Sequence, residues 1–145
     1  ISLGFFGYTG KEALDDILGG FTSEVRMFGP DVSIDLDEKF ILNLQYVKRT
    51  DSYVSRENSI SRMEDVSTDG GFAEVIYSPK GDMSSWYLTG LFNWVESDYD
   101  ALDYTSATVH FGYLLRRNMR VVAEYTQLLS GDTYGKVCTG IITAF

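Results

Sequence analysis

From Tyr104 to Phe145 apolar and polar side chains alternate residue by residue, and no other feature of the chain narrows the possible folds as sharply. One parity holds Thr105, Ala107, Val109, Phe111 and Tyr113, the other Ser106, Thr108, His110 and Gly112. After Arg116-Arg117-Asn118-Met119 the pattern resumes, with Val121, Ala123 and Tyr125 set against Val122, Glu124 and Thr126. Successive side chains leave a strand on opposite sides, so this alternation predicts antiparallel strands with one greasy and one polar face. What remains open at this point is which face lies inside.

The same period recurs upstream. Leu3–Tyr8 reads as a short aromatic and glycine strand. Between Arg26 and Leu36, Phe28, Pro30, Val32, Ile34 and Leu36 oppose Gly29, Asp31, Ser33 and Asp35, although Pro30 resists a central strand position. Asp37-Glu38-Lys39 is a tight turn into Phe40, Leu42, Leu44 and Tyr46, which oppose Ile41, Asn43, Gln45, Val47 and Arg49. Phe72–Tyr77 forms the next run, closed by the turn residues Ser78-Pro79-Lys80-Gly81-Asp82. Trp86, Leu88, Gly90, Phe92 and Trp94 then share a face opposite Tyr87, Thr89, Leu91 and Asn93. Counted together these runs predict about eight strands in a single β-barrel domain spanning 1–145. Two stretches break the period. Lys11–Glu24, with Ala13, Leu14, Ile17 and Leu18 at helical spacing, predicts a long loop carrying a small amphipathic helix, and Thr50–Asp69 predicts a functional or mobile loop.

Three observations point the greasy face outwards. The opposite parity carries small uncharged polar groups where a soluble surface would carry mainly Lys, Glu and Arg. The pore-lining candidates are therefore Asp31, Ser33, Asp35, Asn43, Gln45, Arg49, Glu74, Thr89, Asn93, Ser106, Thr108, His110, Glu124 and Thr126. Charge is otherwise concentrated in the links, as a bilayer requires. Those links also differ by rim: 37–39, 78–84 and 115–119 are short, whereas 10–24, 51–69, 96–103 and 130–134 are longer, an asymmetry of membrane barrels. Finally, Trp86 and Trp94 stand eight residues apart, roughly 25 Å along a strand and near the height of the apolar band of such a barrel. Trp86, Trp94, Tyr46, Tyr113, Tyr125 and Phe145 are the membrane-interface candidates, and Glu96, Asp98, Asp100 and Asp103 form an external acidic loop. The fold class expected is all-β: an antiparallel up-and-down transmembrane β-barrel. A mean hydropathy near zero is compatible with it, because a spanning strand needs apolar residues at alternate positions only.

The hairpin Gly112–Thr126 and the last strand, ending Gly140-Ile141-Ile142-Thr143-Ala144-Phe145, resemble the carboxy-terminal portion of Gram-negative outer-membrane β-barrels of the porin type. The terminal aromatic is similar to the signal by which such barrels are recognised for insertion, and the Asp31–Arg49 hairpin is similar to porin hairpins. The resemblance implies a bacterial outer-membrane location, contact with outer-membrane lipid, ion or solute transport, and a homo-oligomer. Eight strands fit a complete small barrel and equally the carboxy-terminal part of a larger one. Glycines and short polar groups on the inner parity, with a chain start that reads as mid-protein, favour the larger pore.

The functional expectation is passive diffusion of small hydrophilic solutes or cations, with inner Asp31, Asp35, Glu74 and Glu124 favouring cations. One alternative is a structural barrel that sheathes or docks a partner protein in its lumen, such as an electron-transfer cytochrome; another is a soluble ligand-binding β-barrel. A net charge of -9 argues against a nucleic-acid partner. His110 is the sole histidine and suits hydrogen bonding in a lumen better than catalysis, so neither an enzyme nor a cofactor is expected. The acidic loop offers hard oxygens but lacks the glycine and terminal glutamate of a calcium loop. Cys138, the single cysteine, reads as an inert small residue.

Overall fold

A computed structural model describes residues 1–14, 21–55 and 63–144. Eight strands follow one another: β1 Ser2–Leu14, β2 Phe21–Leu36, β3 Phe40–Ser55, β4 Met63–Tyr77, β5 Trp86–Ser97, β6 Tyr104–Arg116, β7 Met119–Leu128 and β8 Gly135–Thr143. All pair antiparallel with their chain neighbours in one up-and-down sheet. Among the described residues helix is confined to single 3-10 turns at Gly81–Met83 and Asp100–Leu102.

The register converts the alternation of each strand into two continuous faces. Leu36, Phe40, Tyr77, Leu88, Phe111, Ala123 and Thr139 stand side by side across seven strands. The next row is Ile34, Leu42, Val75, Gly90, Val109, Tyr125 and Val137. Nothing in the described chain forms a second layer over this apolar face. On the edge strands Leu3, Phe5, Val137 and Ile141 are 68–79% exposed, and Phe92, Val109 and Phe111 in the interior strands are exposed as well. The polar parity is the more sheltered: Ser106 is 1% exposed, and Asn43, Thr89, Asn93, Thr108 and His110 are half-buried. Among the described residues Val25 is the one buried apolar side chain. This inverts the arrangement of a water-soluble domain, where burying apolar surface drives folding.

Local chemistry explains the joints. Asp37 and Glu38 both take positive φ, 55° and 58°, and the Lys39 amide donates to the Leu36 carbonyl at 3.1 Å. That is the primed turn whose twist suits a tight hairpin. Pro30 does enter a non-edge strand. Facing β3, the ladder skips Gly29 and Pro30 and resumes in the same register, from Phe28↔Lys48 to Asp31↔Gln45. Pro30 lacks the donor that a continuous ladder would use, and Gly29 lets the Tyr46 carbonyl come close, where a Cβ would collide with it.

Several expectations are corrected here. Residues 11–14 and 21–24, expected in a loop with a helix, are strand; Ile17 and Leu18 lie outside the described residues. Of the loop expected over Thr50–Asp69, residues 50–55 and 63–69 continue β3 and β4. Lys11, Glu12, Ser23, Glu24, Asp51, Ser52, Ser67 and Thr68 put polar groups on both faces there, so the apolar period ends while the ladder runs on. There it carries ion pairs, Lys11 with Glu24 at 3.4 Å and Lys48 with Asp69 at 3.8 Å. Glu96 belongs to β5 and not to the acidic loop. The sheet is also not closed: β1 and β8 are its edges. A complete eight-stranded barrel is therefore not what these strands form.

Candidate functional site

The candidate site is the sheltered polar face. By register all fourteen candidates share it. Asp31, Gln45, Asn93 and Ser106 lie in one row with Gly4 and Phe72, and Ser33, Asn43, Glu74, Thr108 and Thr126 lie in the next with Leu91. Asp35, Thr89, His110 and Glu124 form a third with Ile41 and Ile76, and Arg49 stands towards the opposite, long-link rim.

Hydrogen bonds cross the strands and hold these groups in place. Ser33 donates to Asn43 Oδ1 at 2.7 Å, and Asn43 Nδ2 donates to Glu74 Oε2 at 2.7 Å, so three strands are laced together and Glu74 is fixed. Thr108 and Thr126 share a hydroxyl bond of 2.9 Å. Arg49 does not present a free cation: Nε and Nη2 each donate to a separate oxygen of Asp51 at 2.6 Å, and Nη2 lies 3.7 Å from Glu12 Oε2. Two parallel bonds of this kind fix a guanidinium in geometry as well as charge.

The densest constellation surrounds His110. Its Nε2 is 3.1 Å from the Tyr87 hydroxyl and its Nδ1 is 3.3 Å from Glu124 Oε2. The carboxylate can only accept, so in the neutral imidazole Nδ1 carries the proton and Tyr87 donates to Nε2. The Tyr87 ring stacks on the imidazole with centroids 5.6 Å apart, and the Arg120 guanidinium sits 5.1 Å from the centre of that ring. Glu74, Thr89, Thr108, His110 and Glu124 line one cavity of about 340 Å³. Neither Tyr87 nor Arg120 is among the sequence candidates. Tyr87 does fall on the polar parity, which is a usable signal, but its pairing depends on the length of the 98–103 link.

On the other face aromatic rings gather at two levels. Near the short turns Phe40 stacks on Tyr77 at 4.6 Å, Tyr77 meets Trp86 edge-on at 5.8 Å, and Trp86 lies 6.1 Å from Phe111; Tyr113 is paired with Trp86. Eight residues along β5, Trp94 meets Tyr46 edge-on at 6.0 Å, and the Tyr46 hydroxyl donates to Asp69. Tyr125 stands on this face in the middle of the three rows between those of Trp86 and Trp94, beside Val109, its hydroxyl donating to Gln127 at 2.6 Å. Phe145 lies outside the described residues. Of the acidic candidates, Asp98 accepts from the Ser67 amide at 2.8 Å and Asp103 from the Ser97 amide at 2.9 Å. Glu96 is paired with Asp69 just above the Tyr46–Trp94 level, and Asp100 opens the second 3-10 turn.

In comparisons with known proteins, no protein-family model, no curated protein sequence and no solved structure matches this chain.

Proposed function

We propose that this chain is part of the wall of an outer-membrane, porin-type channel that passes small hydrophilic solutes by diffusion and prefers cations. The observation that carries the reading is the inversion of faces: a continuous apolar face is left exposed across eight strands, while the polar groups are sheltered and bonded to one another. Lipid is the solvent that makes this arrangement favourable. In a bilayer every backbone group must also find a partner, so the unpaired edges of β1 and β8 call for further strands, and the wall closes as a barrel wider than eight. Such a width leaves an aqueous lumen, whereas eight strands would be filled by their own side chains. The two aromatic levels, separated by Leu42, Leu44, Val75, Phe92 and Val109, suit the two membrane interfaces.

Cation preference follows from the polar face. Among the described residues it carries Glu12, Asp31, Asp35, Asp51, Glu74 and Glu124 against Arg49, Arg120 and Lys136, and the Arg49 charge is held by Asp51 and Glu12. A lumen lined this way raises the local concentration of cations. The test is conductance of the native protein in a planar bilayer under a salt gradient. The expected result is a stable conductance whose reversal potential marks cation selectivity. Anion preference, or no channel at all, would sink the reading. A stoichiometric protein found in the lumen without conductance would put the sheathing role in its place.

A further inference from the structure

We propose that Tyr87, His110 and Glu124 act as a proton-responsive selectivity element in this wall, lowering its preference for cations as pH falls below neutrality. The inference rests on the pore reading and goes beyond it by assigning the residues and the trigger. His110 is the chain's sole histidine, and imidazole is the side chain whose ordinary titration falls between pH 5 and 8. The groups facing it are Glu74 from β4, Tyr87 from β5, Arg120 and Glu124 from β7, and Cys138 and Lys136 at the adjoining positions of β8. As classes, carboxylates are ionised and lysine and arginine protonated throughout that window, and tyrosine is neutral. Of these groups the imidazole is the one held between a phenol and a carboxylate, so a proton it gains is placed directly against Glu124.

The geometry allows that change without rearrangement. In the neutral form Nδ1–H donates to Glu124 and Nε2 accepts from the Tyr87 hydroxyl. A proton taken from solvent lands on Nε2, and the phenol oxygen turns from donor to acceptor by rotating its hydrogen. The imidazolium then sits against the Glu124 carboxylate and cancels one of the few negative charges facing the solute. Arg120 lies over the Tyr87 ring, and among the described residues the ion contact that Glu124 makes is the one with His110. A cation passing this part of the wall therefore meets one positive charge more at low pH than at high pH.

Two measurements test this in the native protein. The first compares reversal potentials at about pH 8 and about pH 5.5, either side of the ordinary imidazole range. The wild-type cation-to-anion permeability ratio is expected to fall about twofold or more towards the lower pH, and His110→Asn is expected to abolish the fall. His110→Gln gives the same reading should the Asn variant not fold. A ratio that does not move in the wild type, or that falls equally in the variant, overturns the proposal. The second measurement needs no channel. Cys138 is exposed and paired in register with Glu124, so its thiol reports the local potential. A cationic and an anionic methanethiosulfonate of similar size would be reacted with it at about 10 mM salt, where the screening length is about 30 Å. The ratio of the two rates cancels the thiol's own titration. That ratio is expected to fall severalfold between the two pH values in the wild type and to stay level in His110→Asn; an equal fall in both, or none in either, overturns the proposal. Absence of conductance alone removes the pore reading, while the Cys138 rates still decide whether His110 is the switch.

Discussion

At the scale of single residues the informative positions are glycines beneath aromatic rings. A Cβ on Gly71 would stand 2.7 Å from Cη2 and Cζ3 of Trp94 and would strike the Gln45 carbonyl, so the missing side chain lets the indole lie across the sheet at the long-link aromatic level. Gly112 does the same for Tyr87, whose ring occupies the space a Cβ would need, and so keeps that ring flat beside His110. A Cβ on Gly90 would meet nothing within 4 Å, which makes that position the control. Gly71→Val is expected to push Trp94 off the sheet and to lower stability by about 1–3 kcal/mol, the usual cost of forcing atoms into an occupied site. Urea unfolding from lipid vesicles, read by Trp94 emission in a Trp86→Phe background, measures it; Gly90→Ala should leave the midpoint nearly unchanged. An unchanged midpoint and emission in Gly71→Val would remove the cradle from the account. Alternation marks these glycines as gaps on a face. Which ring fills each gap is set by the neighbouring strand's register, and a single strand's sequence does not contain that.

At the scale of elements, the turns determine how much of the sheet is readable in advance. The β6–β7 hairpin is legible almost to the pair, because a turn centred near Arg117 places His110 opposite Glu124 and Thr108 opposite Thr126, as observed. The long ends of β2, β3 and β4 are not legible. Their outer residues have polar neighbours on both faces, so the period that signals a strand vanishes while backbone pairing and ion pairs persist. The tightest joint yields a prediction of its own. Glu38 sits at φ 58°, a left-handed conformation that costs a residue with a Cβ about 1–2 kcal/mol and glycine nearly nothing. Its amide donates to Asp35 Oδ1 at 3.0 Å, a bond that glycine would keep. Glu38→Gly should therefore stabilise the hairpin by about 1 kcal/mol, seen as a higher urea midpoint in vesicles. A midpoint that stays level or falls would mean that the Glu38 side chain contributes more than its backbone costs.

At the scale of the whole molecule, the two faces must be argued together, since neither identifies the solvent alone. Exposed apolar residues scattered over a surface need no explanation, but here they are contiguous from β1 to β8, and large contiguous patches mark a surface that meets something apolar. The polar face is laced by side-chain bonds and short of lysine, so it does not resemble a surface built for bulk water. The edges add a direction. Because the strand number is even, β1 and β8 run antiparallel, and strands inserted between them in the same up-and-down order would continue both faces without a break. The face assignment can be tested at adjacent positions of β6. Val109 lies on the exposed apolar face in the middle of its band, and Thr108 lies on the sheltered side. If lipid covers the apolar face, Val109→Arg is expected to cost about 2–4 kcal/mol, the penalty for arginine at the bilayer midplane. On the same reading Thr108→Arg is expected to cost far less, because its charge would enter water, and to weaken the proposed cation preference by placing a positive charge beside Glu124 and Glu74. Urea titration of folding into vesicles measures the first effect and reversal potentials the second. Equal costs for the two variants, or a larger cost for Thr108→Arg, would turn the sheet inside out and put water, not lipid, against the apolar face.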